Sequence, residues 1–403
     1  MIWRRRHSVL IVLFLTYLIC YLDRMAMATA IPFIARDLNL SPLAMGSVLS
    51  AFFVGYACMQ IPGGLLADRL GPNRVMTASI AGWSVFTGLT GAVGSLPALL
   101  ATRALFGVFE GPFPATASKA IALWFPPHEV GRANGVQLTA VNLGGAIAPL
   151  VVAPVIIAWG WRAAFQILLL PGLLMTVLVW MFVKDSPPGA RSEERAVEQR
   201  ANRISIAQVL KRPAVVWCAV ALFFGNIASW GLMNWLPTYL LNARGFSTAK
   251  MGIMASLTFL PGAVGYYLGG HISDKYFSRR RHVPIAIGFM VGAVATYAAA
   301  VAPSGEWAVA ALAFGFLFVS AASAGLFTFP IVAVPTAAVG VAFGIVNTSG
   351  QLAGLVSPLL VGYALNVTDG DFQAVFCGFA ALHIVSAFSI LPLGRAPSPR
   401  VAQ

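Results

Sequence analysis

Charge is the scarcest property of this sequence. Only 10% of its 403 residues are charged, 13 acidic against 26 basic, while 59% are hydrophobic and the mean hydropathy is +0.81. A soluble domain of this length needs far more charge to cover its surface. Histidine, with five residues, and cysteine, with four, are also sparse. Cys20, Cys58, Cys218 and Cys377 lie singly inside apolar runs without metal-ligand spacing. They read as small buried hydrophobes, and neither a metal nor another cofactor is expected. The sequence holds no P-loop, no HExxH and no plausible nucleophile–base pair, which removes the grounds for an enzyme. Every loop is short, which leaves no room for the appended sensing domain of a receptor.

What the chain has in abundance is apolar length. Runs of about twenty residues recur throughout, each long enough to cross about 30 Å of hydrocarbon as a helix. With Gly, Pro and charge as punctuation, twelve spans are predicted: 8–34, 42–67, 75–94, 96–124, 134–157, 162–184, 213–241, 248–273, 283–302, 306–333, 338–365 and 372–394. The expectation is an all-α, multi-pass membrane protein. A cleavable signal is not expected, because Asp23 and Arg24 follow the first apolar stretch where small residues would stand. The "NVT" at 366–368 reads as a chance match to a glycosylation acceptor.

The net charge of +13 is distributed as a membrane protein distributes it. Basic residues gather in "WRRRH", in "DRLGPNR", across 184–212, in "DKYFSRRRH" and at Arg395 and Arg400, while the alternate loops hold little beyond Arg36, Arg162, Arg244 and Lys250. This positive-inside pattern places both termini and the central loop in the cytoplasm. Charges scattered along membrane edges make no basic face, so nucleic acid is not expected as a partner.

The two halves echo each other. "GGLLADRLGPNR" follows span 2 and "GGHISDKYFSRRR" follows span 8, with Asp68 and Asp274 standing 206 residues apart. "FPPHEVGRANG" and "VPTAAVGVAFG" precede spans 5 and 11, and "WRAAF" pairs with "FQAVF" at nearly the same offset. The expected organisation is therefore a six-helix bundle at 1–184, a cytoplasmic linker at 185–212 and a second six-helix bundle at 213–403. A repeat of this kind places a substrate site near mid-membrane, where the halves meet. "GGLLADRLGPNR" resembles the loop 2–3 motif of the major facilitator superfamily, departing at Asn73, where a basic residue is common. The resemblance implies two pseudo-symmetric six-helix bundles. It also implies a gating latch made by Asp68, Arg69 and Arg74, with Asp274 and Lys275 as weaker counterparts in the second half.

Few charges remain inside the spans: Asp23, Arg24, Arg103, Glu110 and, toward a cytoplasmic end, Lys119, all in the first half. A lone ion in hydrocarbon costs at least about 2.5–3.5 kcal/mol, so these groups need a polar cavity or one another. Arg103 and Glu110, seven residues apart, share a helix face at about 10 Å, with Gly107 between them and Gly111 beyond leaving room for a helix or ligand. Asp23 and Arg24 are about 100° apart around their helix and cannot point at one spot. One is expected to face a cavity and the other a neighbouring helix. Tyr21 and Tyr56 add hydroxyls at comparable depth. A carboxylate withdrawn from water can take up and release a proton at working pH, and an arginine offers a planar fork to a carboxylate ligand. Glu110 and Asp23 are thus the candidate proton acceptors, Arg24 the anion anchor, and Arg103 the group that holds Glu110 ionised. An ion-pair network that only fixes helix packing is the alternative.

The second half keeps no charge inside its spans. Its polar candidates are Asn226, Asn234, Ser320, Ser323, Asn347 and Gln351. Asn347 and Gln351 share one face at i, i+4. Each of these groups fits a polyhydroxylated ligand or a helix–helix hydrogen bond equally well. His271 and His383 are isolated and read as interfacial or packed.

"YLDR" in span 1, the run from Arg103 through "EGP" at Pro112, "WFPPHEVGRA" and "NWLPTYL" together resemble the anion:cation symporters, a family of bacterial sugar-acid transporters and animal organic-anion carriers. The similarity extends over nearly the whole chain. It implies proton-coupled import of an organic anion (an aldonate, aldarate or hexuronate) by a monomer, with protons and the lipid bilayer as its other partners. By that resemblance Asp23 and Glu110 carry protons, Arg24 binds the substrate carboxylate, Tyr21 and Tyr56 line the pocket, and Gln351 supplies the span 11 amide. No glutamine matches the family's span 5 ligand, and Asn142 lies only nearby. Asn234, Asn347 and Arg103 complete the expected substrate set. A small aromatic carboxylate is the rival substrate, given Trp230, Trp235, Phe223 and Phe224. A proton-driven drug exporter is the rival function, and "NLGGAIAPLVVAPV" in span 5 lacks the GP step usual in such exporters.

Overall fold

The computed structural model describes residues 2–185, 206–277, 280–335 and 338–395, and within them the chain is helical with no strand. Backbone polar groups in hydrocarbon must be satisfied within the segment, which leaves helices as the economical solution for apolar runs of this length. The helices are α1 (Ile2–Leu38), α2 (Pro42–Leu70), α3 (Pro72–Thr90), α4 (Leu96–Glu110), α5 (Phe113–Trp124), α6 (Pro127–Phe182), α7 (Ile206–Leu210), α8 (Pro213–Thr238), α9 (Thr248–Tyr276), α10 (His282–Ala300), α11 (Gly305–Ala333), α12 (Val339–Val367) and α13 (Phe372–Ile390). A π turn at Tyr239–Ala243 extends α8, and a 3₁₀ turn at Leu391–Arg395 closes α13.

Nine helical stretches among the described residues are long and apolar enough to cross a membrane. One of them, Glu129–Phe182, counts twice, because Gly160 breaks the helix with φ 80° and ψ 168°. That backbone lies in the left-handed region where a side chain is strained, so glycine is required at the turn between spans 5 and 6. α3, 19 residues long, spans about 28 Å. The broken pair α4–α5 makes one further crossing. The twelve expected spans are all present, and span 4 is the one that is not continuous. Its break falls at Gly111–Pro112, where proline has no N–H to bond back to the Val108 carbonyl.

The chain forms two compact units. The first comprises Met1–Ser192, Asn234–Ser256 and Pro358–Asn366, and the second Glu193–Met233, Leu257–Ser357 and Val367–Gln403. The central stretch 186–205 lies outside the described residues. In the first unit α1 packs along α6, α2 against α4, and α3 against both α4 and α6. Ion pairs fasten this unit near both ends: Arg6 to Glu129 at 3.1 Å and Arg162 to Asp37. Both are partly exposed, a setting in which such pairs contribute only about 0.2–1 kcal/mol. In the second unit α10 packs against α11 and α13.

Candidate substrate and coupling site

Arg24 of α1 is the centre of a buried cluster in the first unit. Its Nη2 donates to Glu110 Oε1 of α4, with 4% of the Arg24 side chain and none of the Glu110 side chain exposed. Its Nη1 donates to the Tyr21 hydroxyl at 3.4 Å, one helical turn back. Three rings surround the guanidinium: Phe52 at 4.5 Å, Tyr21 at 4.6 Å and Tyr56 at 5.0 Å from its carbon. Each ring face attracts a desolvated cation by about 0.5–2 kcal/mol, which helps to hold a charge away from water.

Local sequence explains why these groups meet. Phe52 and Tyr56 lie one turn apart on α2 and so share a face. α2 and α4 approach so closely that a Cβ at Gly107 would lie 2.1 Å from the Phe52 carbonyl oxygen. The room left by Gly107 is thus filled by a helix backbone, which brings Phe52 and Tyr56 up to Glu110. Glu110 itself is the last residue of α4, immediately before the Gly111–Pro112 break.

Asp23 faces elsewhere, as its angular offset from Arg24 requires. It is fully buried, and neither carboxylate oxygen accepts a hydrogen bond within ordinary distance among the described residues. Its charged neighbours are Glu110 and Arg103, and the Thr87 hydroxyl and Trp83 indole of α3 stand beside it. Arg103 is 2% exposed. Its guanidinium lies over Phe106 at 4.5 Å and Phe52 at 5.7 Å. The expectation that Arg103 holds Glu110 is corrected: the ion pair is made by Arg24. Arg103 would have to reach about 10 Å along its own helix, whereas Arg24 reaches directly across from α1. Arg103 makes no ion pair among the described residues and feels both carboxylates at longer range.

Sequence reasoning missed several members of the cluster. Cys20, one turn before Arg24, is 2% exposed and lies in the electrostatic surroundings of Glu110. It had read as an inert core residue, and its i, i+4 spacing to Arg24 was the available signal. Trp83 and Thr87, also i, i+4, face Asp23 from α3. Outside the contacts of this cluster, Gln137 of α6 is a buried polar group of the first unit, with Nε2 lacking a hydrogen-bond partner among the described residues. Asn142, one and a half turns further on, is half-buried on the helix that packs along α1.

The remaining expected ligands are divided between the two units. Asn234 belongs to the first unit and is 5% exposed. Asn347 and Gln351 belong to the second unit, half-buried on α12, and Gln351 Oε1 is enclosed without a hydrogen-bond partner among the described residues. Between them in sequence, a Cβ at Gly350 would come within 2.8 Å of Asn226 Nδ2, so Asn226 of α8 packs against this stretch of α12. Ser323 instead donates to the Val319 carbonyl at 2.9 Å in its own helix. His383 is packed against Phe289 at 6.1 Å, and His271 is exposed.

At the loop motif, Asp68 pairs with Lys119 of α5 at 2.8 Å, and Lys119 also donates to the Ala67 carbonyl at 2.7 Å. Arg69 and Arg74 are exposed and make no ion pair among the described residues. The Asp274 side chain lies outside the described residues. Asn73, the departure from the superfamily motif, has a structural role. Its Nδ2 donates to the carbonyls of Val179 and Val183 at the end of α6, and its amide donates to Asp185 at 2.7 Å. The position is 8% exposed, and these three bonds occupy the Asn73 side chain and amide.

Residues 13–358 match the Major Facilitator Superfamily profile. A probable sulfoacetate transporter of Cupriavidus necator is 34% identical over 98% of this chain and 96% of that protein. The hexuronate transporter of Bacillus subtilis is 30% identical over 96% of this chain and 94% of its own length. Among solved structures, an inward-facing bacterial homologue of the human lysosomal transporter Spinster superposes with a TM-score of 0.78 at 19% identity, covering 97% of this chain and 95% of that one. The helical order, the repeat, the loop motif and these likenesses agree: the chain belongs to the Major Facilitator Superfamily.

Proposed function

We propose that this chain is a proton-coupled symporter that imports an organic anion, a sugar acid such as an aldonate, aldarate or hexuronate, by alternating access. The observation that carries the reading is the buried Arg24–Glu110 pair, closed in by Tyr21, Phe52 and Tyr56. An arginine committed to an internal carboxylate cannot also clamp a substrate carboxylate. Protonating Glu110 releases the Arg24 fork, so the anion binds only after the proton, and the two cross together. Asp23 is the second proton carrier, and Arg103 adds positive potential near both carboxylates. Tyr21 and Tyr56 orient the bound acid, while Asn142, Asn234, Asn347 and Gln351 hydrogen-bond its hydroxyls. Asp68, Arg69, Arg74 and Asp274 act in the gate, with Lys119 holding Asp68 in the conformation described here.

In this reading the protein is a monomer in the bacterial inner membrane with both termini cytoplasmic, and the linker 185–212 joins transport halves at 1–184 and 213–403. The name of the relative at 34% identity supports a second substrate, a short acid of the sulfoacetate kind. Uptake of a labelled hexuronate into energised vesicles tests both. Accumulation that a protonophore abolishes and that excess hexuronate, but not sulfoacetate, competes away is the expected result. Uptake indifferent to the protonophore means facilitated diffusion or another coupling ion, and competition by sulfoacetate alone moves the substrate to the short acids.

A further inference from the structure

The second unit contains a cavity of about 550 Å³ that the transport reading does not use. Its walls are Gln208, Val209, Lys211, Arg212 and Pro213 on one side and Val334, Pro335 and Ala338 on the other. Val209 of the short α7 is 1% exposed and packs into the core with Val215, Cys218, Leu326 and Ala338, which anchors the wall. Local backbone turns shape each wall, from the Arg212 amide to the Val209 carbonyl at 3.0 Å and from the Ala338 amide to the Pro335 carbonyl at 2.8 Å.

Depth is set by the elements that meet there: the start of α8, the residues after α11 and the residues before α12. All are ends of membrane spans, so the cavity opens at the membrane–water boundary. Trp217, one turn into α8 and 36% exposed, marks the same level, where tryptophan is enriched. Lys211 and Arg212 are exposed at the mouth, neither has an ion-pair partner among the described residues, and no acidic side chain lines the walls. Cations at the rim and Val, Pro and Ala behind them match a ligand that is anionic at one end and apolar at the other.

We propose that this cavity binds the headgroup of an anionic phospholipid in the leaflet on the basic, cytoplasmic side. Lys211 and Arg212 hold the phosphate, and the apolar wall receives the first carbons of the lipid chains. Basic pockets at helix ends on that side are suited to such headgroups, since each nearby cation strengthens the attraction. Removing both cations is expected to weaken binding about thirtyfold.

The experiment uses the full-length protein in neutral detergent, with thermal unfolding followed in mixed micelles of phosphatidylglycerol or phosphatidylcholine and, separately, in millimolar inorganic phosphate. Phosphatidylglycerol is expected to raise Tm by roughly 2–4 °C while phosphatidylcholine does not. Lys211→Gln/Arg212→Gln loses that rise, and Arg132→Gln, on the exposed start of α6, keeps it. Arg212→Gln alone repeats the test at smaller amplitude should the double variant fold poorly. An undiminished rise in these cavity variants overturns the site. A rise produced equally by inorganic phosphate overturns the lipid and leaves a soluble phosphate compound as the ligand. Because the readout is stability, failure here leaves the transport reading standing.

Discussion

The two units bury polarity in opposite ways. The first encloses Asp23, Arg24, Arg103 and Glu110. Among the described residues the second encloses no acid, lysine or arginine, only hydroxyls and His383. Several of its hydroxyls are spent on helix carbonyls: Ser386 donates to Ala221 at 2.6 Å and Thr296 to Gly292 at 2.8 Å. Such bonds contribute about 0.5–1.5 kcal/mol each and have nothing to exchange with a ligand. The Arg24–Glu110 pair differs in kind, because a proton or a substrate carboxylate can replace either partner. In the proposed reading the first unit carries the proton coupling and the second the recognition of the ligand's shape.

The sharpest way to break that contrast is Arg24→Met. It leaves Glu110 buried without its cation, a change that costs about 3–5 kcal/mol when a buried pair loses one partner. Transport should vanish and Tm should fall; a variant with normal uptake would show that the pair only packs helices. Gln351→Ala probes the other side. Loss of one ligand hydrogen bond of about 0.5–1.5 kcal/mol should raise KM roughly three- to tenfold with proton coupling intact. Loss of coupling in that variant would erase the division between the units. The smallest effect belongs to His383→Leu. Both ring nitrogens of this buried histidine lack a hydrogen-bond partner among the described residues, so an apolar replacement of similar size should leave stability and uptake within about 1 kcal/mol of the parent or slightly better. A severe loss of uptake would place a titrating group in the second unit.

The fold was legible because apolar length, proline and glycine punctuation and the loop motif are local signals. Gly160 and the "EGP" break are readable in the same way. The buried charges were legible because ions in hydrocarbon demand an explanation. Partner choice was not. Which arginine holds Glu110 depends on how α1, α2 and α4 approach one another, and that approach depends on Gly107 meeting the Phe52 carbonyl. Phe52, Trp83 and Cys20 look like ordinary apolar filling until α1 is placed beside α3 and α4. Asn73 looked like a defect in a basic motif, and only the end of α6 reveals what its amide binds.

The central claim is that Glu110 exchanges Arg24 for a proton. The most direct measurement compares Glu110→Gln with the parent in proteoliposomes, following both concentrative uptake driven by a pH gradient and exchange of labelled for unlabelled substrate. The amide is fixed in the neutral form and leaves Arg24 available, so exchange should persist while accumulation above equilibrium disappears. If Glu110→Gln accumulates substrate against its gradient as well as the parent does, proton coupling does not pass through Glu110 and the account fails.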